Sequence, residues 1–494
     1  MTHLTLPQFS AHSGMALRQT LRQFILSLRF RLAAWQKALI IWIALGVLTF
    51  IAARYLKHPL FYFWRDLETP VLLLASIGGA WFALRAQGNA RGWRNRLEPG
   101  ARLAGWLLLL CLVAGQEGWF RWQQYQVLQA NVAMTRMGRH FVVGFRDFDD
   151  LKPLAERGLI GGIYITRRNL KGESAQSLRQ RVDELQDIRR RADLPPLFVM
   201  ADQEGGEVSH LSPLVERMPA LAELLADGEE NLELRALAQG EQQGRELAAL
   251  GINMNLSPVV DLKLDGIKDW SDSRSLIERR AIATDPRTVA RVASAYGAGL
   301  VASGVQPTVK HFPGLGRVRG DTHLVKASLP PDPEARAADW LPFREVIRHT
   351  GAAMMLAHVG MPDIDPGAPA SLSRKLVQDV LRKKDGDGWD YQGILITDDL
   401  NMGAVYANGV GRAAVTALDA GVDLVLVSYD PDQYYRALHA AADAWRRGNI
   451  NSLREVDSAQ RLDRYWAKNR LTITAGLGKS ILTNPLQLLA TLHY

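Results

Sequence analysis

The feature that most constrains this chain is a series of eight short apolar segments between residues 140 and 429. They span residues 140–145, 161–166, 197–202, 252–261, 305–312, 352–359, 393–399 and 423–429. Stretches with helical amphipathicity, such as 175–192 and 231–250, lie between them. Strands that alternate with helices predict parallel βαβ units. Segments that are apolar on both faces are typical of strands buried in a parallel sheet.

Eight such repeats over about 300 residues favour a closed (β/α)8 barrel of the TIM type. An open doubly wound sheet is the alternative, but its first strand usually leads into a glycine-rich phosphate loop. The segment VVGFRDF contains no such loop. We therefore predict an α/β fold with the barrel over residues 138–450. Residues 451–494 are predicted to be a C-terminal tail, in which 481–492 packs on the barrel or lies near a membrane.

Three longer apolar stretches precede the barrel, at residues 38–56, 70–84 and 103–122. A membrane-spanning helix needs about 20 mostly apolar residues, a length that the first and third stretches approach and the second does not. A cleaved signal peptide is the competing interpretation, but it requires an apolar region nearer the start of the chain. We predict an all-α transmembrane region of about three helices over 38–122 and a linker over 123–137.

The basic residues beside these stretches predict the orientation in the membrane. Residues 1–37 carry Lys and Arg but no acidic residue, and residues 85–102 carry five arginines against one glutamate. Segments rich in Lys and Arg remain in the cytoplasm, so both are predicted to be cytoplasmic. The chain after residue 122 then lies on the far side. The predicted location is a bacterial inner membrane, with the lipid bilayer as a partner and the barrel in the periplasm.

Composition excludes several other classes of protein. A chain that is 47% hydrophobic and 22% charged is neither disordered nor fibrous. The net charge of +8 is concentrated near the apolar stretches, which indicates membrane topology rather than nucleic-acid binding. Cys111 is the only cysteine, so neither an internal disulfide nor a cysteine-based zinc cluster is possible. The oligomeric state does not follow from the sequence.

Polar residues cluster where four of the predicted strands end. They are Asp202-Gln203-Glu204, Lys310-His311, His358 and Asp398-Asp399. In a barrel of this kind the C-terminal ends of the strands form the catalytic face. Each residue taken singly is most simply explained as a rim or capping group. Four strands out of eight that end in this way indicate a site.

The loop after the fifth predicted strand contains a possible acid/base pair. Asp321 and His323 are two residues apart, so an extended backbone places both side chains on one side. A carboxylate beside an imidazole orients the ring and stabilises its protonated form, which suits general acid/base catalysis. A loop ion pair or a capping aspartate is the alternative interpretation.

The seventh predicted strand ends in two aspartates with different orientations. Alternation places Ile394, Ile396 and Asp398 on one face of the strand and Asp399 on the other. A carboxylate that points into the barrel mouth can act as a nucleophile, a base or a metal ligand. Asp399 suits an N-cap for the following helix.

Several longer motifs occur in a fixed order along the barrel. They are VVGF, IGGIYITRRN, ADQEGGEV, NLSPVVDL, SDSRS, KHFPGLG…DTH, MLAHVGMPDID…PASLS and ITDDLNM. With these motifs, residues 138–450 resemble glycoside hydrolase family 3. The resemblance is greatest to its single-domain bacterial β-N-acetylglucosaminidases, which act on peptidoglycan fragments.

The resemblance implies a retaining hydrolysis of a carbohydrate. Asp398 matches the nucleophile, and His323, oriented by Asp321, matches the acid/base. The residues that match sugar-hydroxyl contacts are Asp202, Arg274, Lys310 and His311. No metal or organic cofactor is implied. The implied substrate is a β-linked N-acetylhexosamine in peptidoglycan fragments or a surface polysaccharide.

Three residues depart from the family pattern. Glu207 and His210 stand where the family has arginines, which removes positive charge near the sugar site, and Leu315 replaces a loop histidine. These changes favour a second hypothesis, a non-catalytic glycan-binding or scaffold protein on a degenerate barrel. A third is a phosphorolytic relative, because a histidine acid/base does not repel an anionic acceptor.

Overall fold

The computed structural model describes residues 34–264, 276–318, 326–406 and 408–476. The chain forms two compact units, which divide between Arg121 and Trp122. The α-helices are α1 (Ala34–Tyr55), α2 (Arg65–Asn89), α3 (Trp93–Leu128), α4 (Val132–Gly138), α5 (Lys152–Glu156), α6 (Ala175–Arg191), α7 (Leu232–Ala249), α8 (Ile277–Arg280), α9 (Pro286–Ala302), α10 (Pro333–Thr350), α11 (Gly403–Tyr406), α12 (Val410–Ala420), α13 (Asp432–Arg446) and α14 (Ser452–Gly476). Shorter helical turns are Pro59–Trp64, Phe148–Leu151, Arg167–Leu170, Leu221–Asp227, Ala370–Leu372 and Leu376–Leu381.

Among the described residues, three helices are long and apolar enough to cross a membrane, over Gln36–Tyr55, Phe61–Asn89 and Asn95–Leu128. The second is longer than its short apolar core predicted. Its first turn carries acidic side chains that suit a helix N-terminus, and Pro70 lies inside it. Large apolar side chains cover the outside of these helices; Leu74, for example, is 70% exposed.

The second unit contains all eight predicted strands in the predicted order. They are β1 (Phe141–Val143), β2 (Gly162–Tyr164), β3 (Phe198–Ala201), β4 (Met254–Asn255), β5 (Gln306–Phe312), β6 (Ala353–Leu356), β7 (Leu395–Thr397) and β8 (Val425–Val427). The largest difference is in β4, which was predicted over 252–261. Its regular pairing stops before Pro258, which has no N–H to donate, and one parallel bridge resumes between Val259 and Lys310.

Each strand pairs in parallel with its neighbours in sequence, in the order β7-β6-β5-β4-β3-β2-β1-β8. The register pairs Phe141 with Val425 and Val142 with Gly162. A further parallel bridge, between Ile396 and Leu424, joins β7 to β8. The sheet is therefore a nearly closed parallel barrel. The open doubly wound alternative is excluded, because its strand order would reverse within the sheet. Short strands outside the barrel are Gln203–Gly205, Val208–Ser209, Ala327–Ser328, Val359–Met361 and Asp365–Pro369.

Alternation along the strands divides the apolar side chains between two cores. Met200, Met355 and Ile396 belong to the cluster that fills the barrel. Their neighbours Val199 and Leu395 belong to the cluster between the strands and the surrounding helices. The position of a residue in the alternation therefore tells which face of the barrel wall it lies on.

The N-terminal end of the barrel is closed by α14, which lies in the predicted C-terminal tail. Leu462 and Trp466 belong to the cluster inside the barrel, and the Trp466 ring centroid lies 4.6 Å from that of Phe198. Below this contact, the fully buried Asp423 accepts hydrogen bonds from Arg382 and Arg461. The first half of the tail thus completes the barrel core. The segment 481–492, for which contact with the barrel or membrane was predicted, lies outside the described residues.

Candidate active site

Four of the predicted site residues lie at the C-terminal ends of the barrel strands, a region that we call the mouth. Asp202 follows β3, Lys310 and His311 lie in the last part of β5, and Asp398 follows β7. Because all eight strands are parallel, these ends lie on the same side of the sheet. The strand order thus brings together residues that are far apart in sequence.

Lys310 is held between two carboxylates in the mouth. Its Nζ donates to Oδ1 of Asp202 and lies 2.6 Å from Oε1 of Glu204. The hydroxyl of Tyr164, at the end of β2, donates to the other oxygen of Asp202. Lys310 is only 2% exposed, so water and salt screen these charges little. Three strands therefore contribute to one connected polar network.

These neighbours determine which groups of the network are charged. Burial raises the pKa of Asp202, but the Lys310 ammonium outweighs burial and holds that pKa well below its usual range. Burial also opposes ionisation of Glu204, but Arg280 and Lys310 lower its pKa. Burial lowers the pKa of Lys310, and the two carboxylates more than compensate and raise it. Both carboxylates and the ammonium are therefore charged at neutral pH.

Arg280, the last residue of α8, completes the network. Its Nε lies 2.9 Å from Oε2 of Glu204 and its Nη2 lies 2.6 Å from Oε1, a bidentate pair. The same Nη2 lies 3.4 Å from Nε2 of His311. A role for Arg280 was not predicted from the sequence. No local pattern marks it, because its partner Glu204 lies 76 positions earlier in the chain.

His311 is oriented by a buried carboxylate. Its Nδ1 lies 2.7 Å from Oδ2 of Asp261, which is fully buried. The other oxygen of Asp261 accepts from the backbone N–H of Leu315. A carboxylate only accepts, so Nδ1 carries a proton and donates it. The opposite nitrogen, Nε2, then faces the guanidinium of Arg280. Asp261 ends the NLSPVVD segment, but its partner His311 could not be identified from the sequence.

Asp398 lies at the end of β7 on the face that lines the barrel. It follows Ile394 and Ile396 in the alternation, and both belong to the cluster inside the barrel. Its backbone N–H donates to the carbonyl of Leu356, which keeps it in register with β6. One carboxylate oxygen accepts the N–H of Asp399 at 2.8 Å. The side chain is partly exposed to solvent.

Asp399 has a structural role that differs from the predicted helix N-cap. Its oxygens accept from the N–H and side-chain amide of Asn401 and from the N–H and hydroxyl of Ser428. They also accept from the N–H of Tyr429. The N-cap assignment fails because the next helix, α11, begins only at Gly403. The carboxylate instead ties the loop after β7 to the loop after β8. His358 supports the same turn, since its Nε2 lies 3.0 Å from the Asp399 carbonyl oxygen.

The remaining three predicted site residues lie outside the described ranges. They are Arg274, in the gap 265–275, and Asp321 and His323, in the gap 319–325. The described start of the second loop is fixed by close packing. A Cβ on Gly316 would lie 2.2 Å from the carbonyl oxygen of Leu262. Leu315 is buried against Ile277 and Val359, in a small apolar cluster under the loop.

The other two residues that depart from the family pattern are Glu207 and His210. Glu207 lies at the exposed rim, where its Oε1 is 3.0 Å from Nη1 of Arg279. The ring of His210 lies near Tyr164, with its Nδ1 3.3 Å from the hydroxyl. Burial lowers the pKa of His210 even though Asp202 is close. The expected loss of positive charge at this site is partly offset, because Arg280 reaches the network from a different segment.

The mouth thus combines a carboxylate on the barrel face with an array of charged hydrogen-bonding groups. Such an array binds a polyhydroxylated ligand through many directed hydrogen bonds. Within the described ranges, no group of three or more His, Cys, Asp or Glu side chains is arranged to hold a metal ion. This geometry is consistent with an enzyme that acts on sugars.

Comparison with known proteins establishes the class. The model for the glycosyl hydrolase family 3 N terminal domain matches residues 126–464. This match covers well over half of the chain, and the chain belongs to glycosyl hydrolase family 3. It is a glycoside hydrolase.

Relatives with assigned activities include two bacterial enzymes. The β-hexosaminidase of Neisseria gonorrhoeae (strain NCCP11945) is 35% identical over 300 residues, which cover 59% of this chain and 77% of that protein. The β-hexosaminidase of Stenotrophomonas maltophilia (strain R551-3) is 35% identical over 287 residues, 57% of this chain and 79% of that protein.

Solved structures show the same similarity. A glycoside hydrolase family 3 β-N-acetylglucosaminidase from Paenibacillus sp. str. FPU-7 superposes with a TM-score of 0.62 at 32% identity, over 73% of this chain and 68% of that one. The β-N-acetylhexosaminidase from Beutenbergia cavernae DSM 12333 superposes with a TM-score of 0.61 at 28% identity, over 68% of this chain and 99% of that one.

Proposed function

We propose that this glycoside hydrolase is a membrane-anchored, retaining β-N-acetylhexosaminidase that releases β-linked N-acetylhexosamine from peptidoglycan fragments or a surface polysaccharide. The proposal is supported above all by the place of Asp398 directly after β7, at the same ends of the parallel strands as the Lys310 network. The substrate assignment is supported by relatives described as β-hexosaminidases and β-N-acetylglucosaminidases.

In the proposed mechanism Asp398 attacks the anomeric carbon as the glycosidic bond breaks, and a glycosyl-aspartate forms. His323, oriented by Asp321, donates a proton to the leaving oxygen. In the second step His323 takes a proton from water, which attacks the same carbon and releases the sugar with its configuration retained. Because the acid/base is carried by a loop, closure of that loop over the sugar would assemble the site.

The polar residues of the mouth are proposed to bind the sugar hydroxyls. They are Asp202, Arg274, Lys310 and His311. Lys310 is charged and buried, and Asp202 is charged and partly buried, so their hydrogen bonds to a neutral sugar are directional and little weakened by solvent. Arg280 and Glu204 hold Lys310 and His311 in place. Catalysis through these groups requires no cofactor.

We further propose that residues 38–122 anchor the enzyme in a bacterial inner membrane, with 1–37 in the cytoplasm and the hydrolase domain, 138–450, in the periplasm. The linker is 123–137 and the C-terminal tail 451–494. Three helices of sufficient length and apolarity support this arrangement, as does the concentration of arginine between the second and third. A fusion of alkaline phosphatase after residue 476 is expected to be active. An inactive fusion, with an active β-galactosidase fusion at the same position, would contradict the orientation.

The activity is tested by release of 4-nitrophenol from its β-N-acetylglucosaminide by the full chain in detergent. Wild type is expected to turn over, and Asp398→Ala to show at least a thousandfold lower kcat/KM. The matched substrate is 4-nitrophenyl β-glucoside, which lacks the acetamido group and is expected to react much more slowly. Absence of turnover by wild type, or equal turnover by Asp398→Ala, would contradict the proposal. Sugar 1-phosphate formed only in the presence of phosphate would indicate phosphorolysis instead.

A further inference from the structure

A cavity lies at the N-terminal end of the barrel, opposite the mouth. Its volume is about 600 Å³, which is within the range of roughly 300–1,000 Å³ typical of small-molecule sites. The charged side chains that line it are Arg136, Arg139, Arg157, Arg189, Glu455 and Asp463. We call it the arginine cavity. It is lined by residues of the barrel unit alone, and the proposed glycosidase mechanism uses none of them.

The six charges of the arginine cavity do not balance. Arg136 pairs with Glu455, with Nη2 2.6 Å from Oε2, and Arg139 pairs with Asp463. Arg157 donates instead to the backbone carbonyl of Leu128. In the part of the chain that the structure describes, Arg157 and the remaining arginine have no carboxylate partner. The cavity therefore carries an excess of two positive charges.

Arg189 is the more informative of the two, because it is only 3% exposed. Its Nε donates to the carbonyl of Pro195 at 2.8 Å and its Nη1 to that of Ala155 at 3.2 Å. Burial, with a smaller contribution from the charge of Arg139, lowers the pKa of Arg189 to about 10. The group stays charged at neutral pH. A buried cation without an anion is costly, so its position on a cavity points to an anionic ligand.

We infer that the arginine cavity binds the phosphate group of a phosphate-bearing ligand. A phosphate ester carries about −1.5 to −2 charges at neutral pH, which matches the excess of two, and arginine forks suit its oxygens. Most of the remaining lining is apolar, including Val132, Leu194 and Trp466, and provides contacts for an organic group. This chemistry is shared by two sources, a lipid headgroup and a soluble phosphate ester.

The test uses the full chain in a neutral detergent, with thermal unfolding followed by tryptophan fluorescence. The probes are inorganic phosphate, glycerol 3-phosphate and dioctanoyl phosphatidylglycerol, each compared with sodium chloride at matched ionic strength. A saturable rise in Tm is expected with at least one phosphate probe. Saturation with glycerol 3-phosphate or phosphate identifies a soluble ligand, and saturation with the lipid alone identifies a headgroup.

Arg157→Gln tests the location of binding. The side chain of Arg157 is exposed, so this variant is expected to fold. A substitution of the buried Arg189 could instead destabilise the core. Loss of one charged hydrogen bond predicts an affinity weaker by about tenfold or more. The matched control, Arg191→Gln, removes an exposed arginine at the end of α6 and is expected to bind as wild type does. Equal binding by Arg157→Gln, or no rise in Tm above the chloride control with any probe, would overturn the inference.

Discussion

The two ends of the barrel are built from the same eight strands but stabilised by different interactions. At the mouth, Lys310, Glu204 and Arg280 form a charged network that remains accessible from one side. At the opposite end, Trp466 on α14 packs against Phe198 beside the arginine cavity. In barrels of this type, residues at the C-terminal ends of the strands form the active site and residues at the N-terminal ends contribute to stability. The mouth holds the charged groups proposed to act on the sugar, whereas the opposite end combines the apolar packing of α14 with the arginine cavity.

The largest expected effect concerns the mouth. Asp398→Asn keeps the size of the side chain but removes the nucleophile, so kcat/KM for the β-N-acetylglucosaminide is expected to fall by about 10³–10⁴-fold. The free energy of unfolding should change by less than about 1 kcal/mol. Steady-state kinetics and urea unfolding check the two quantities.

Asp399→Asn is the matched control for that prediction. It disturbs the hydrogen bonds to Ser428 and Tyr429, so we expect a lower free energy of unfolding, by about 1–3 kcal/mol, and a smaller loss of activity. If Asp399→Asn abolished turnover without any loss of stability while Asp398→Asn remained active, the assignment of the two aspartates would be reversed.

The next largest effect is at the opposite end of the barrel. Trp466→Ala leaves a cavity beside Phe198 and Leu462 and is expected to lower the free energy of unfolding by about 3–5 kcal/mol. Because the mouth is remote from this contact, kcat should stay near wild type at temperatures where the variant is folded. Leu453→Ala, at a position on the same helix that is 75% exposed, should change neither quantity. A large fall in kcat for folded Trp466→Ala would break the proposed division between the two ends.

Lys310→Met tests whether the mouth network also contributes stability. Removal of the ammonium leaves the partly buried Asp202 and the buried Glu204 without their shared cation, and we expect the free energy of unfolding to fall by about 3 kcal/mol at pH 7. Since Lys310 lowers the pKa of both carboxylates, its contribution is present above their unfolded pKa of about 4 and is lost as pH falls below that value. The difference in free energy of unfolding between wild type and Lys310→Met should therefore shrink toward pH 3. A deficit independent of pH would indicate that lost packing, rather than lost charge, is responsible.

A smaller effect, on the pH dependence of the free energy of unfolding, is expected from substitution of Asp339, which lies beside the start of the loop after β5. Burial raises the pKa of Asp339 to about 6, although its carboxylate lies 3.0 Å from Nε of Arg317. Because the pKa of Asp339 is higher in the folded than in the unfolded protein, protonated Asp339 contributes to the free energy of unfolding. This contribution is fully present below the unfolded pKa, near 4, and is lost as pH rises through about 6.

The variant Asp339→Asn cannot lose a proton, so its free energy of unfolding should rise by about 3 kcal/mol relative to wild type between pH 4 and pH 7. Urea unfolding at several pH values measures this difference. A constant difference across the range would mean that the Arg317 pair fully compensates for burial.

The sequence allowed the barrel to be predicted because strand periodicity is a local property. Each apolar segment could be recognised by itself, and the alternation that placed Asp398 on the barrel face depends only on Ile394 and Ile396. The packing of Trp466 inside the barrel could not be predicted in this way. Leu462 and Trp466 are spaced as on one helical face, but the sequence does not identify the surface that this face covers.

Only those site residues that lie in recognisable sequence motifs could be predicted. The positions of Asp202 and Lys310 at strand ends followed from the pattern, whereas their direct contact depends on the closure of the sheet. Arg280 had no local signal, since it meets Glu204 only after the chain has passed through β4. Long-range ion pairs of this kind are determined by tertiary structure rather than by spacing in the sequence.

The central claim is that the carboxylate of Asp398 forms a covalent bond to the sugar. Incubation of the full chain with a 5-fluoro N-acetylglucosaminyl fluoride should slow the second step and trap the glycosyl-enzyme, which peptide mass spectrometry can locate. We predict a mass increase of one fluorinated sugar on the peptide that contains Asp398, with fragment ions assigning it to that residue and no label in Asp398→Asn. Label on a different residue, or turnover with inversion at the anomeric carbon and no label, would contradict the account.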